Sequence, residues 1–179
     1  MIFYLIILAQ FKRFMKAAIF VIFFFSFQNC FSQQLLLPNE EAVFSFNLKN
    51  GKTMMLAKEK KNGYLVYRFG KDNKIDFEFP ERDSLSFKKF SYNFYFRGGG
   101  KENAGIDIDN LFFDNAGYHY TIYSVYSAED ESQSSGIIIL DKNNKQTKLT
   151  AVKGSEVGSL QDFRTNDMIK IDLEAGLDF

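Results

Sequence analysis

The sequence predicts an all-β domain, an antiparallel β-sandwich or a partly closed barrel of about nine or ten strands, after an N-terminal signal helix. Short runs rich in aromatic and β-branched residues recur about every ten residues from Ala42 onward, and Gly, Asn, Asp and Lys clusters separate them. No long helical period interrupts these runs. The chain has 179 residues, of which 46% are apolar, so its length and composition fit one globular domain.

Turn residues divide the first part of this region into hairpins. Phe44, Phe46 and Leu48 alternate with polar residues, and Asn50-Gly51 then supplies a pair that tolerates the positive φ of a tight turn. Pro80 cannot donate a ladder hydrogen bond, so it ends a strand or marks an edge. The strands between these two points are predicted at residues 53–59, 64–69 and 75–79, with turns at 62–63 and 71–74.

The second part carries the longer predicted strands. Residues 87–96 place Phe90, Tyr92, Phe94 and Phe96 on one face, and this alternation predicts that the face lies on the core. The remaining strands are predicted at residues 106–114, 118–127, 136–140, 146–152 and 168–173, with an acidic, serine-rich loop at 129–135.

Residues 1–32 have the composition of a secretory signal peptide. Three basic residues precede an apolar run over residues 17–25, and the segment has no acid. Cys30 and Ser32 are the small residues expected at the −3 and −1 positions of a cleavage after Ser32. Met15 is an alternative initiator, because a basic residue and the apolar run follow it directly.

Two alternatives stay open for this segment. The apolar run alone is shorter than the roughly 20 residues that span a bilayer, so an uncleaved anchor would have to use residues 2–27 with their charges. Lipid attachment at Cys30 would need a bacterial lipobox, whereas Phe27-Gln28-Asn29 precede this cysteine. Cleavage would leave residues 33–179 as a single β-domain, periplasmic or secreted. Only the signal segment is expected to contact the membrane.

Composition excludes several classes of function. The 22 Lys and Arg balance 22 Asp and Glu over the whole chain, and residues 33–179 keep 19 basic against 22 acidic residues. No nucleic-acid partner is expected, because no excess of positive charge is present to hold a phosphate backbone. One Cys and one His exclude a multi-Cys/His zinc site, a disulfide framework and an iron–sulfur cluster within one protomer. We expect no cofactor.

Residues 96–105 form the most informative local feature. Four glycines in residues 98–105 let the backbone approach a ligand, and two basic residues beside them can hold an anionic group. The spacing of a phosphate loop is absent, and no helix signal follows. The predicted ligand-binding residues are this loop and neighbouring tyrosines: Arg97, Gly98, Gly99, Gly100, Lys101, Asn103, Tyr95 and Tyr120. The alternative is a mobile connection between two long strands.

Tyrosines concentrate in the middle third of the chain, close in sequence to this loop. Exposed Tyr offers a large contact area at small entropic cost and is typical of interfaces and sugar sites. The alternative is that these rings line the core with their hydroxyls at its rim. The residues concerned are Tyr92, Tyr95, Tyr118, Tyr120, Tyr123 and Tyr126.

The carboxylates and the histidine give weaker signals. Asp107 and Asp109 are two residues apart and therefore share one face of a strand. Three alternatives stay open for them: a solvated polar face, a Ca²⁺ site together with Glu102 and Asn103, or a glycosidase pair. His119 would need a nucleophilic serine to form a hydrolase triad. The chain contains no Gly-x-Ser-x-Gly motif that would supply one, so no triad is predicted. We assign no catalytic and no metal-binding residue.

Three segments together resemble a family of uncharacterised secreted bacterial β-rich proteins. They are residues 64–70, residues 97–100 with Asn103 and Gly105, and residues 118–123. The similarity covers about residues 50–172. It implies an exported compartment and a β-rich fold, and it implies no activity.

These observations predict a function without catalysis. The expected protein is an exported binding or inhibitor-like β-module that recognises a protein or glycan of the cell envelope. One alternative is a structural envelope component that assembles through a sheet edge. The other is a carboxylate-based hydrolase of extracellular polysaccharide.

Overall fold

The computed structural model describes residues 35–72 and 74–179. The predicted signal peptide therefore lies outside the described residues. Within them the chain forms eleven strands and three short 3-10 turns, and no α-helix. The strands in chain order are β1 (Glu40–Asn47), β2 (Thr53–Glu59), β3 (Leu65–Lys71), β4 (Lys74–Phe79), β5 (Ser91–Arg97), β6 (Ile106–Asn115), β7 (Tyr118–Ser127), β8 (Ser132–Leu140), β9 (Gln146–Thr150), β10 (Val157–Gly158) and β11 (Lys170–Ile171).

The strands form two separate sheets. The five-stranded sheet has the order β10-β1-β2-β3-β4, and the six-stranded sheet has the order β11-β5-β6-β7-β8-β9. All neighbours pair antiparallel except β11, which pairs parallel to β5. The all-β prediction is confirmed. The sheets do not form a closed barrel, because ladder hydrogen bonding ends at the edge strands of each sheet.

One hydrophobic cluster contains side chains of both sheets, so the sheets pack face to face in a sandwich-like arrangement. Aromatic rings fill much of this layer: the ring centroid of Phe113 lies 4.5 Å from that of Phe79 and 4.8 Å from that of Tyr120. The fully or nearly fully buried members include Phe44, Phe46, Leu56, Tyr67, Tyr92, Leu111, Phe113, Ile122 and Ile137.

Several predicted boundaries need correction. The strand predicted from residue 87 begins only at Ser91, because Ser86–Lys89 form a 3-10 turn that buries Phe87. Phe90, Tyr92 and Phe94 pack on the core as predicted, but Phe96 is 61% exposed because it lies beyond the end of the apolar layer. The serine-rich part of the loop at residues 129–135 is instead strand: from Ser132 it pairs with β7.

The outer face of the five-stranded sheet buries a charged group. Arg68 of β3 is inaccessible to solvent and binds Glu40 of β1 and Glu78 of β4. Its Nη1 also donates to the carbonyl of Leu35, whose side chain packs on the outer face of β2 and β3. The residues before β1 therefore cover this face.

The packing of a tyrosine ring requires glycine at one position on the outer face of the six-stranded sheet. Tyr123 of β7 lies directly opposite Gly136 of β8. A Cβ atom at Gly136 would lie 2.6 Å from the Tyr123 hydroxyl and 2.4 Å from the carbonyl oxygen of Leu149. The ring of Tyr123 therefore occupies the space that a side chain at residue 136 would need.

Candidate functional site

Two rows of residues on the inner face of the six-stranded sheet interrupt the apolar layer. Each row runs across β5, β6, β7 and β8, with its members directly opposite one another. The first row is Phe96, Asp107, Tyr126 and Gln133, and the second is Phe94, Asp109, Ser124 and Ser135. The next row along the strands, Tyr92, Leu111, Ile122 and Ile137, is fully buried core. The polar rows therefore mark the end of the core at one end of the sandwich.

The segment between β10 and the 3-10 turn Gln161–Thr165 reaches these polar rows. Gly158 holds the segment against β1: its φ is +81°, and a Cβ there would lie 2.0 Å from the Val43 carbonyl oxygen. Only glycine fits this position. From this anchor, the side chain of Gln161 donates from Nε2 to Asp107 Oδ2 at 2.9 Å.

Arg164 connects the two aspartates. Its Nη2 donates to Asp107 Oδ1 and to Asp109 Oδ1, the latter at 2.7 Å, and its Nε donates to Asp109 Oδ1 at 3.0 Å. The guanidinium carbon lies 4.9 Å from the ring centroid of Phe94, within the range of a cation–π contact. Arg164 therefore balances one of the two negative charges, and its guanidinium stacks on the ring of Phe94 in the second row.

Asp109 is the more deeply buried of the two carboxylates, with 3% of the residue exposed. The hydroxyl of Tyr92 donates to its Oδ1, the same atom that Arg164 contacts. Burial raises the pKa of Asp109, and the hydrogen bonds from Tyr92 and Arg164 only partly oppose this effect. The hydrogen bonds from Tyr92 and Arg164 all reach Oδ1 and not Oδ2.

A pocket of about 200 Å³ lies between the polar rows and the segment that reaches them. We call it the Asp107 cleft. Its lining residues are Asp107, Asp109, Ser124, Tyr126, Gln133, Gly158, Ser159 and Gln161. Pockets for drug-sized ligands typically measure about 300–1,000 Å³, so the cleft holds a single small unit. Tyr126, 45% exposed, stands in its wall, and the exposed Phe96 stands beside Asp107 in the first row.

The predicted binding loop lies at the same end of the sheet, and hydrogen bonds within the loop close it. Nε and Nη2 of Arg97 donate to the carbonyl of Ala104 at 3.1 and 2.6 Å. Asn103 donates to the carbonyl of Gly99, and the amide of Gly105 donates to the carbonyl of Gly100. Gly99 and Gly100 have φ values of +96° and +64°, which explains glycine at both positions. The guanidinium of Arg97 therefore closes the loop.

The structure brings most of the predicted ligand-binding residues together and separates one. The loop residues from Arg97 to Asn103 are exposed, and Tyr95 is exposed on the same face of β5 as Arg97. Tyr120 lies elsewhere: its ring stacks on Phe113 and Phe77 in the aromatic core. Six residues along β7 separate it from Tyr126, which corresponds to roughly 20 Å. Tyr126 takes the place beside the loop that the sequence suggested for Tyr120.

The histidine and the remaining suggested Ca²⁺ ligands do not line the cleft. Nδ1 of His119 lies 2.9 Å from Asp114 Oδ1 in an exposed pair at the opposite end of β6 from Asp107. Glu102 and Asn103, suggested as partners of Asp107 in a Ca²⁺ site, do not line the cleft. Among residues 35–72 and 74–179 no three His, Cys, Asp or Glu side chains are grouped to hold a metal.

Sequence reasoning missed Gln161, Arg164 and Gln133. The first two lie in a segment without a clear period, and Gln133 lies in residues interpreted as a loop. One signal was present: along the same face of β6, Asp107 and Asp109 precede Leu111 and Phe113. This change from polar to apolar marks where the face leaves the cleft and enters the core.

Comparison with known proteins adds no assignment. No family model, no curated protein and no solved structure matches the chain. In the described part of the chain, no helix has the length and hydropathy required to cross a bilayer. Function is therefore inferred from the geometry of the site.

Proposed function

We propose that this chain is an exported, non-enzymatic binding module that recognises a glycan of the cell envelope through the Asp107 cleft and the loop at residues 97–105. The observation that carries the proposal is the pair of polar rows on a sheet face that is otherwise apolar. A domain that needed this face only for its core would gain more stability from apolar side chains there. The polar rows are better explained by a ligand that offers many hydrogen bonds.

The lining matches the chemistry of a sugar. Ser124, Tyr126 and Gln133 supply hydroxyl and amide groups, and each of these groups both donates and accepts hydrogen bonds. The two carboxylates add strong acceptors for hydroxyl donors. Exposed rings at Phe96 and Tyr126 offer flat apolar surfaces of the kind that pack on a sugar ring.

The arrangement of the carboxylates supports binding without hydrolysis. A glycosidase needs one carboxyl group as acid and a second as nucleophile or base, both facing the scissile bond. Here Arg164 binds both Asp107 and Asp109, and Asp109 is almost fully buried. One guanidinium therefore holds both carboxyl groups through hydrogen bonds, so neither is free to act as the acid or the nucleophile of such a pair.

The test is glycan binding by the purified protein, measured on an array of envelope and extracellular glycans. Tyr126→Ala removes a ring from the wall of the cleft, and we expect it to weaken binding at least about tenfold. Tyr118→Ala is the matched control, because Tyr118 is also 45% exposed and lies on the same face at the other end of β7. We expect the control to bind within about twofold of the wild type.

Three results would contradict the proposal. Equal losses from the two substitutions would remove the cleft from the binding surface. Cleavage of a bound glycan, followed by mass spectrometry, would show a hydrolase. An array without binding, together with self-association in sedimentation, would favour a structural component of the envelope.

A further inference from the structure

The charge of the Asp107 cleft restricts what it can bind. Its lining contains two carboxylates and no Lys or Arg. Arg164 reaches both carboxylates from the adjoining turn, which leaves a formal charge of −1. Nε and Nη2 of this arginine already donate to Asp107 and Asp109. A negatively charged ligand would therefore enter a site that is already negative.

The basic residues of the neighbouring loop do not change this balance. Arg97 lies on the opposite face of β5 from Phe96, and its guanidinium donates to the carbonyl of Ala104. Lys101 belongs to the exposed loop and does not line the cleft. Neither residue supplies a cation inside the pocket.

The hydrogen bonds at Asp109 and Ser135 also bear on what the cleft can bind. All the hydrogen bonds that Asp109 receives reach Oδ1, so Oδ2 stays available to a ligand donor. Ser135, directly opposite the cleft-lining Ser124, is 1% exposed, and its Oγ makes no hydrogen bond. The hydrogen-bonding capacity left on Asp109 is therefore that of an acceptor, which a ligand donor can use.

We infer that the cleft selects sugar units that carry an amine or no charge and discriminates against acidic sugars. The inference rests on the proposed function and adds a charge class to it. An ammonium group donates up to three hydrogen bonds and gains from the net negative charge, whereas a hydroxyl donates one and gains less. A carboxylate donates none and is repelled by both aspartates.

The test compares three β-1,4-linked hexasaccharides, built from glucosamine, glucose and glucuronate, by calorimetric titration of the purified protein. We expect glucosamine to bind at least about tenfold more tightly than glucuronate, with glucose between them. Raising the salt concentration from about 50 to 500 mM should reduce this ratio, because ions screen the charge of the cleft.

A pair of variants assigns the preference to the cleft. Asp107→Asn keeps the size of the side chain and removes one negative charge, so it should lower the glucosamine to glucuronate ratio several-fold. Asp114→Asn removes the same charge near the other end of β6, where the side chain of Asp114 is 82% exposed. This control should leave the ratio within about twofold of the wild type.

The outcomes separate this inference from the proposed function. Glucuronate binding as tight as glucosamine binding, or equal ratios in the two variants, would overturn the charge preference while glycan recognition stands. Glycan binding on the array without binding of any member of the series would also overturn it. Absence of binding in both experiments would overturn the proposed function itself.

Discussion

Arg68 and Glu40 form a two-point ion pair in which both side chains are inaccessible to solvent. Nη1 lies 2.5 Å from Glu40 Oε2 and Nη2 lies 2.7 Å from Oε1, while Nε lies 2.6 Å from Glu78 Oε2. The hydroxyl of Tyr64 also donates to Oε1 of Glu40, at 2.8 Å. These hydrogen bonds connect β1, β3 and β4 beneath the residues that precede β1.

Removal of Arg68 should be strongly destabilising. Arg68→Met leaves the carboxylate of Glu40 buried without its partner, and we expect a loss of about 3–5 kcal/mol in the free energy of unfolding, measured with urea. Lys58→Met is the control, because Lys58 pairs with Glu41 on the surface of the same sheet and such pairs contribute at most about 1 kcal/mol. Similar losses in the two variants would show that Arg68 is solvated.

The same ion pair should make stability sensitive to acid. Burial alone would raise the pKa of Glu40, but hydrogen bonds from Arg68, Leu37 and Tyr64 outweigh it and hold the pKa below its ordinary value. The native state then binds fewer protons at this site than the unfolded state. The contribution of Glu40 is complete above its unfolded pKa of about 4.3 and is lost as the pH falls through its lower folded value.

Urea unfolding between about pH 5 and pH 3 measures this effect. The free energy of unfolding of the wild type should fall across this range, and that of Glu40→Gln should fall less steeply because the titrating group is gone. Asp109, whose raised pKa acts in the opposite direction, is common to both proteins and cancels in the comparison. Parallel pH profiles would exclude Glu40 as the acid-sensitive group.

Phe112 and Phe113 test the assignment of the two faces of β6. Phe113 is 2% exposed and contacts the rings of Phe79 and Tyr120, so Phe113→Ala should cost about 3–5 kcal/mol. Phe112 is half-buried on the other face, where its ring lies near His119, so Phe112→Ala should cost clearly less. Thermal and chemical unfolding provide the comparison, and a reversed order would mean that the register of β6 is shifted by one residue.

Gly136 should be intolerant of even one added carbon. Its Cβ would lie 2.4 Å from a backbone oxygen and 2.6 Å from the Tyr123 hydroxyl, so Gly136→Ala should cost about 1–3 kcal/mol. At Gly98 the nearest atoms belong to the Phe96 side chain at 3.4 Å, and Gly98→Ala should change the free energy of unfolding by less than about 0.5 kcal/mol. Equal effects at the two positions would contradict the packing of Tyr123 over Gly136.

Arg97→Ala should affect the loop far more than the domain. The substitution removes two hydrogen bonds to Ala104, and the exposed arginine contributes little to the core, so the melting temperature should stay nearly unchanged. Hydrogen exchange at the amide of Gly105, which donates to Gly100, should become faster, and glycan binding should weaken. A fall in melting temperature as large as that of Phe113→Ala would assign Arg97 to the stability of the whole domain.

Local patterns predicted the hairpins but only half of the cleft. Alternation at Phe44 and Phe46 and the turn at Asn50-Gly51 are short-range signals, and they located β1 and β2 correctly. The shared face of Asp107 and Asp109 followed from the same rule. Arg164, which binds both, lies 55 residues beyond Asp109 in a segment without a period, and a contact between such distant residues leaves no local pattern.

The position of tyrosines along β7 shows a second limit. Tyr118, Tyr120 and Tyr126 share one face by their spacing, so alternation alone treats them as equivalent. Their environments differ because β4 covers the middle of this face through Phe77, which stacks on Tyr120, whereas Tyr126 lies beyond the core. Which part of a strand is covered depends on how the two sheets are placed, and this placement is a property of the whole fold.

The pairing of β10 with β1 determines when the chain can finish folding. Phe44 lies opposite Gly158, 114 positions later in the sequence, so the first strand acquires this neighbour only after most of the domain has been synthesised. Seven of the nine strand pairings in the described residues join consecutive strands, so most hairpins can form from nearby residues, whereas the β1–β10 pair must wait until a loop of more than 100 residues has closed.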